Sequence, residues 1–132
     1  MSHPEREEFR VPGLSEPISH YTDAVRFGRL LFISGIAPVD EHGRLVGGDD
    51  AAAQTRQIFL NMQKVLAAAG AGFGDVLKVT VYLLDVNDRT RINPVRQEFF
   101  GPTRPASTLV EVRGLAIPGM KVEIEAIAGL PR

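Results

Sequence analysis

Glu123 and Glu125 are the side chains of this sequence whose type and spacing best suit proton transfer. They lie in Lys121-Val122-Glu123-Ile124-Glu125-Ala126-Ile127-Ala128. The strict alternation predicts a strand with Lys121, Glu123 and Glu125 on one face and Val122, Ile124, Ala126 and Ala128 on the other. A carboxylate so placed can orient a water or take a proton from it. Two residues along a strand is roughly 6.6 Å, so a small substrate touches one of these carboxylates and not both. Charged side chains on a strand are as often simply its wet face, and that reading stands beside the chemical one. An earlier run, Pro105-Ala106-Ser107-Thr108-Leu109-Val110-Glu111-Val112, alternates in the same way before a turn rich in Gly and Pro. It too predicts a strand with one apolar and one polar face.

Other reactive groups are sparse. Cysteine is absent, which excludes disulfides, thiol nucleophiles and thiolate metal sites. His3 and His42 fall in a tail and a turn with no second ligand at metal spacing, so no metal site is expected. Gly70-Ala71-Gly72-Phe73-Gly74 has the look of a phosphate loop, yet it follows a helix and lacks the P-loop lysine, and it reads as a helix stop. Phe99-Phe100 reads as core packing.

A chain of 132 residues with 44% hydrophobic content can build one core and is too short for two ordinary domains. One domain over residues 1–132 is expected, with 1–13 as a tail. Fifteen basic against sixteen acidic residues give no broad positive field, so nucleic acid is not an expected partner. The first residues are charged with no apolar stretch after them, and no run approaches eighteen apolar residues. No membrane partner and a cytoplasmic location are therefore expected.

These residues must be positioned by a small set of elements. The first dozen residues read as a loosely docked tail ending near Pro12-Gly13. Residues 22–27 and Leu30–Ile36 predict two strands joined through Gly28-Arg29 as a hairpin. Gly47-Gly48 and Asp49-Asp50 lead into a helix capped by an aspartate, with Ile58, Met62, Val65, Leu66 and Ala69 on its buried face and Gly70 as its stop. Residues 75–84 predict a central strand with both alternating sets mostly apolar. A second helix runs to Phe100 with Ile92, Val95 and Phe99 inward. Pro94 sets its regular start near Asn93, after a tighter turn over 88–91. The order ββαβαββ predicts an α+β domain, one sheet with both helices on one face and the other face left for a partner.

The words along the chain, in their order and spacing, resemble the Rid family, the reactive intermediate deaminases also known as YjgF proteins. They are Pro17-Ile18-Ser19-His20-Tyr21, Leu31-Phe32-Ile33-Ser34-Gly35, Gln54-Thr55-Arg56-Gln57 with Asn61, Lys78-Val79-Thr80-Val81-Tyr82, then Asp85, Asp88, Asn93 and Phe99-Phe100, and the two final strands. The likeness covers residues 17–128. It implies a chorismate-mutase-like fold, a homotrimer with ligand clefts at the subunit boundaries, and hydrolysis of an imine or enamine to a ketone and ammonia. It implies no cofactor and no metal. Carried over by position, Glu123 and Tyr21 are the catalytic candidates, and Ser34, Gly35, Asn93 and Ser107 line the substrate.

One departure stands out. The family's Pro-Ala-Arg-Ser strand carries an arginine that grips a 2-imino acid carboxylate, and this chain has Ser107 in its place. Serine offers one neutral hydrogen bond where arginine offers two charge-assisted ones. A ligand that lacks an α-carboxylate, or presents it differently, is therefore expected, and Ser107→Arg should restore activity toward simple 2-imino acids. Arg104, three residues away, should point to the opposite face of the strand, leaving Arg96 or Arg113 to reach in from elsewhere. His20 stands where the family usually has proline, as an acid-base group at the cleft mouth or, the plainer reading, an exposed loop histidine. A non-catalytic binder of small metabolites is the alternative function. The endoribonuclease label sometimes given to the family is disfavoured by the charge balance.

Overall fold

The alternating run at the end of the sequence becomes the strand Val122–Gly129, which lies inside a six-stranded sheet. The computed structural model describes residues 5–131; His3 lies outside them. In chain order the strands are β1 Arg6–Phe9, β2 Ala24–Phe27, β3 Leu30–Ile36, β4 Val76–Leu83, β5 Ala106–Glu111 and β6 Val122–Gly129. The helices are α1 Ala51–Ala68 and α2 Arg89–Phe100, and short 3-10 turns cover Phe73–Asp75 and Val86–Asp88. The sheet runs β1-β2-β3-β6-β4-β5. Only the β4–β5 pair is parallel.

The helices cover one face, as the element order predicted. Leu31, Ile33, Val79, Val81, Val122, Ile124, Ala126 and Ala128 meet Ile58, Phe59, Met62, Val65 and Leu66 of α1 in the buried core. Phe59 stacks edge-on against Phe100, with centroids 5.5 Å apart, and Phe73 and Phe99 complete an aromatic cluster between the helices. Asp50 caps α1 by accepting the Ala52 N–H at 2.9 Å, and Gly70 leaves the helix at φ 75°, a left-handed conformation that glycine adopts freely.

Three expectations need correction. Within the expected tail, residues 6–11 are not loosely docked, because β1 pairs with β2 from Arg6↔Phe27 to Phe9↔Ala24 and Val11 is only 5% exposed. Asp23 accepts the Val11 N–H at 2.8 Å and pairs with Arg10. The charges that suggested a tail sit on an edge strand, where they discourage pairing with other chains. Second, α2 begins at Arg89 rather than near Asn93, and it contains Pro94. That ring lies on the exposed side, where a weakened backbone bond opens toward solvent and the helix continues. Third, β4 is buried on one face only. Val79, Val81 and Leu83 are covered while Lys78, Thr80 and Tyr82 look outward, because no element among the described residues packs over the second face.

β5 also departs from the alternation that predicted it. Only Leu109 is partly covered and the rest of the strand is exposed on both sides, since it is the last strand of the sheet. No helix among the described residues is long and apolar enough to cross a membrane.

Candidate functional site

The sheet registers decide which of the candidate residues can meet. Ser107 stands opposite Val79 on β4, and Val79 is buried beneath the helices, so Ser107 lies on the helix face. Glu123 stands opposite Tyr82, one residue out of phase with the buried Val81, so it lies on the open face. Strand geometry therefore puts Glu123 and Ser107 on opposite sides of the same sheet.

The candidates accordingly fall into two groups. Tyr21, Ser34, Gly35 and Glu123 line a cavity of about 370 Å³ whose wall also includes Asn61 and Ile117. Asn93 and Ser107 line a different cavity, of about 620 Å³, together with Arg96, Phe100 and Arg104. The two share no lining residue. His20 lines neither and is exposed, in keeping with the plainer of its two readings. His42 is exposed beside Glu41, and no group of three potential metal ligands occurs among the described residues.

In the first cavity the backbone is shaped by a bulge. The β3–β6 register runs Ile33↔Ala126 and then Ile36↔Ile124, so Ser34 and Gly35 together oppose Glu125 alone. Bulges bend a strand and re-aim its side chains, and they recur beside active sites. Ser34 is fixed twice, its N–H donating to Asp23 O at 3.1 Å and its hydroxyl to Thr22 O at 2.6 Å. Gly35 leaves the space into which the Glu123 carboxylate reaches. Burial, and secondarily the charge of Glu125, pushes the Glu123 carboxyl above its usual value. Such a group accepts a proton from water more readily than an ordinary glutamate. Tyr21 is 47% exposed at the mouth.

Two buried amides hold the walls. Asn61 donates to Val39 O at 2.9 Å and accepts from Gln57. Gln54 donates to Gly48 O and Gly119 O at 2.8 and 2.9 Å, and its oxygen accepts the Lys121 N–H at 2.7 Å. It thus fixes the approach to β6 and to Glu123. Both were legible only as words of the family resemblance, with no role attached.

The second cavity holds what the sequence left open about the missing arginine. Arg96 Nη2 donates to Ser107 Oγ at 2.9 Å. Burial depresses the Arg96 pKa from its usual value, and Arg96 joins no ion pair among the described residues, unlike Arg6, Arg10, Arg56 and Arg91. Arg104 also lines this cavity. The argument that it points away from Ser107 fails because β5 starts at Ala106, and strand parity does not extend to the irregular residue 104. Arg113 lines neither cavity.

A single mixed sheet with two helices on one face, and a half-buried glutamate beside a Ser-Gly bulge, define an α+β domain of the Rid architecture. The family described as endoribonuclease L-PSP matches residues 13–130, and the chain belongs to this family, the Rid (YjgF) proteins. A RutC family protein of Pyrococcus horikoshii is 46% identical, over 86% of this chain and 89% of its own length. The human 2-iminobutanoate/2-iminopropanoate deaminase is 37% identical, over 90% of this chain and 84% of its own. Among solved structures, that of the Rid family protein YyfA from Yersinia pestis has a TM-score of 0.89 at 32% identity, over 95% and 99% of the two chains.

Proposed function

We propose that this chain is a deaminase of small reactive imines or enamines, acting in clefts formed between the subunits of a homotrimer. One observation carries the shared cleft: Glu123 and the Asn93–Ser107 group lie on opposite faces of one sheet. Both contribute to one site only if they come from different copies. The open face supports such an assembly, since Phe32 and Leu30, each over 40% exposed, and Val110 leave apolar surface there that no other element among the described residues covers. The likeness to the human 2-iminobutanoate/2-iminopropanoate deaminase supports the reaction class.

The reaction follows from the groups at hand. An enamine enters by protonation at carbon, which gives the protonated imine. Water adds to the imine carbon as the C=N π pair moves onto nitrogen. Glu123 takes a proton from that water and returns it to nitrogen, and the C–N bond of the carbinolamine breaks to leave a ketone and ammonium. The raised pKa of Glu123 suits it to both halves of this exchange. Tyr21 and Ser34-Gly35 border the reacting carbon, and Asn93 approaches from the neighbouring copy.

Substrate choice in this reading is altered by Ser107 standing where the family's arginine would be. The experiment is to generate 2-iminobutanoate in situ and follow ammonia release. Acceleration above the buffer rate, abolished by Glu123→Gln, is expected. An unaccelerated rate with every imine offered would leave a metabolite-binding protein in its place.

A further inference from the structure

We propose that Arg96, brought in from α2 and held by Ser107, is the group that grips the carboxylate of the substrate. The proposal deepens the deaminase reading and rests on it for the identity of the substrate. A guanidinium withdrawn partly from water normally finds an acid. Arg96 has instead one neutral hydroxyl, at 2.9 Å, in a cavity whose lining includes a second arginine, Arg104, and no Asp or Glu. Arginine has five N–H donors, so accepting one partner leaves most of the fork available to a planar anion. Ser107 Oγ accepts from Arg96, which leaves its own proton to be donated to the same carboxylate.

The pair also explains why a small residue stands at 107. The Arg96 guanidinium lies within hydrogen-bond distance of the serine oxygen, in the space that a longer side chain from β5 would enter. The cationic role has moved from the strand to the helix. A short hydroxyl residue at 107 orients it, as a positioning residue. Asn93, one turn earlier on α2, lines the same cavity, so the anion site and the amide expected at the reacting end lie on one helix face.

Binding of 2-oxobutanoate, the keto acid left by 2-iminobutanoate, gives a readout independent of turnover. Arg96→Ala should weaken its binding, and raise KM for the imine with kcat little changed, about ten- to a hundredfold. Arg96→Lys should recover part of the loss, since a point charge replaces the fork. Ser107→Ala should raise KM by a smaller factor and Ser107→Thr should restore it. Ser107→Arg should weaken binding by setting two guanidiniums together, the reverse of the gain expected from sequence. Unchanged keto-acid affinity in folded Arg96→Ala, several-fold faster imine turnover in Ser107→Arg, or a parent that does not bind 2-oxobutanoate at millimolar concentration would each overturn the proposal. Keto-acid binding lost in Arg96→Ala, with no ammonia released by the parent, would uphold the anion site and remove the deaminase reading. Turnover indifferent to Arg96→Ala would do the opposite.

Discussion

A Cβ placed on Gly35 would lie 2.9 Å from Oε1 and 3.0 Å from Cδ of Glu123. The backbone of Gly35 does not occupy the left-handed region, so space rather than conformation demands glycine there. The two residues face each other across the β3–β6 bulge, and the absent side chain of one is the room that the carboxylate of the other occupies.

Gly35→Ala should therefore disable the site without unfolding the chain. The methyl group and the carboxylate cannot both keep their places, and a shift of about 1 Å in a catalytic group can cost a hundredfold in rate. The expected result is a large fall in kcat for any accepted imine, with circular dichroism and subunit assembly unchanged. Parent-like kcat in the alanine variant would remove Glu123 from the reacting position.

Glu123→Gln should trade activity for stability. Removing the base should lower turnover about a hundredfold or more, while Glu125→Gln, two residues along, should cost much less. The folded-state pKa of Glu123 is raised from 4.5 by burial and by Glu125, so ionising it penalises the fold. The penalty is absent below the unfolded value, grows between the unfolded and folded values, and is complete above the latter. The glutamine variant should thus melt higher than the parent at pH 7–8, and the gap should close as pH falls below about 4. A gap that widened toward acid would mean that the carboxylate is stabilised rather than strained.

Clefts shared between copies predict complementation. Glu123→Gln and Asn93→Ala chains, each inactive alone, should recover activity when unfolded together and refolded as mixed trimers. Random assembly through a heterologous interface gives roughly a quarter of the clefts both native residues. Light scattering of the parent should give about three times 14.4 kDa. Absence of recovery in verified mixed assemblies would mean that the two residues do not serve the same site.

How far the sequence led can be read from particular residues. The alternation around Glu123 gave β6 and its faces, and the Gly28-Arg29 link gave the β2–β3 hairpin, because both signals are local and strong. The pairing of Arg6–Phe9 with β2 was hidden because its charges suit an exposed edge as well as a tail. Arg104 was misplaced because a parity rule for strands was applied to a residue two positions before the strand begins. The Arg96–Ser107 contact joins a helix to a strand eleven residues on, and it depends on how α2 lies against β5. Periodicity carries no information about that, so Arg96 could be named only as one of three candidates.

Gln54 offers the last test, since it links stability to the site without touching it. It is fully buried on α1 and bonds Gly48 O, Gly119 O and Lys121 N, three backbone groups of the loops before α1 and β6. Gln54→Ala leaves all three without that partner and opens a cavity where the buried side chain stood, which together put the cost at about 2–4 kcal/mol. Lys121 is the residue before β6, and Glu123 follows two residues later, so loosening this anchor should misplace the carboxylate as well as lower Tm. Gln54→Leu, close to the original volume, should refill the space yet leave the same three groups unpaired. Both variants are therefore expected to melt well below the parent and to lose kcat, measured on the fraction still folded at 25 °C. A leucine variant that melted like the parent and kept full kcat would show that Gln54 serves packing alone, and that the start of β6 is held by the strand pairing on either side of it.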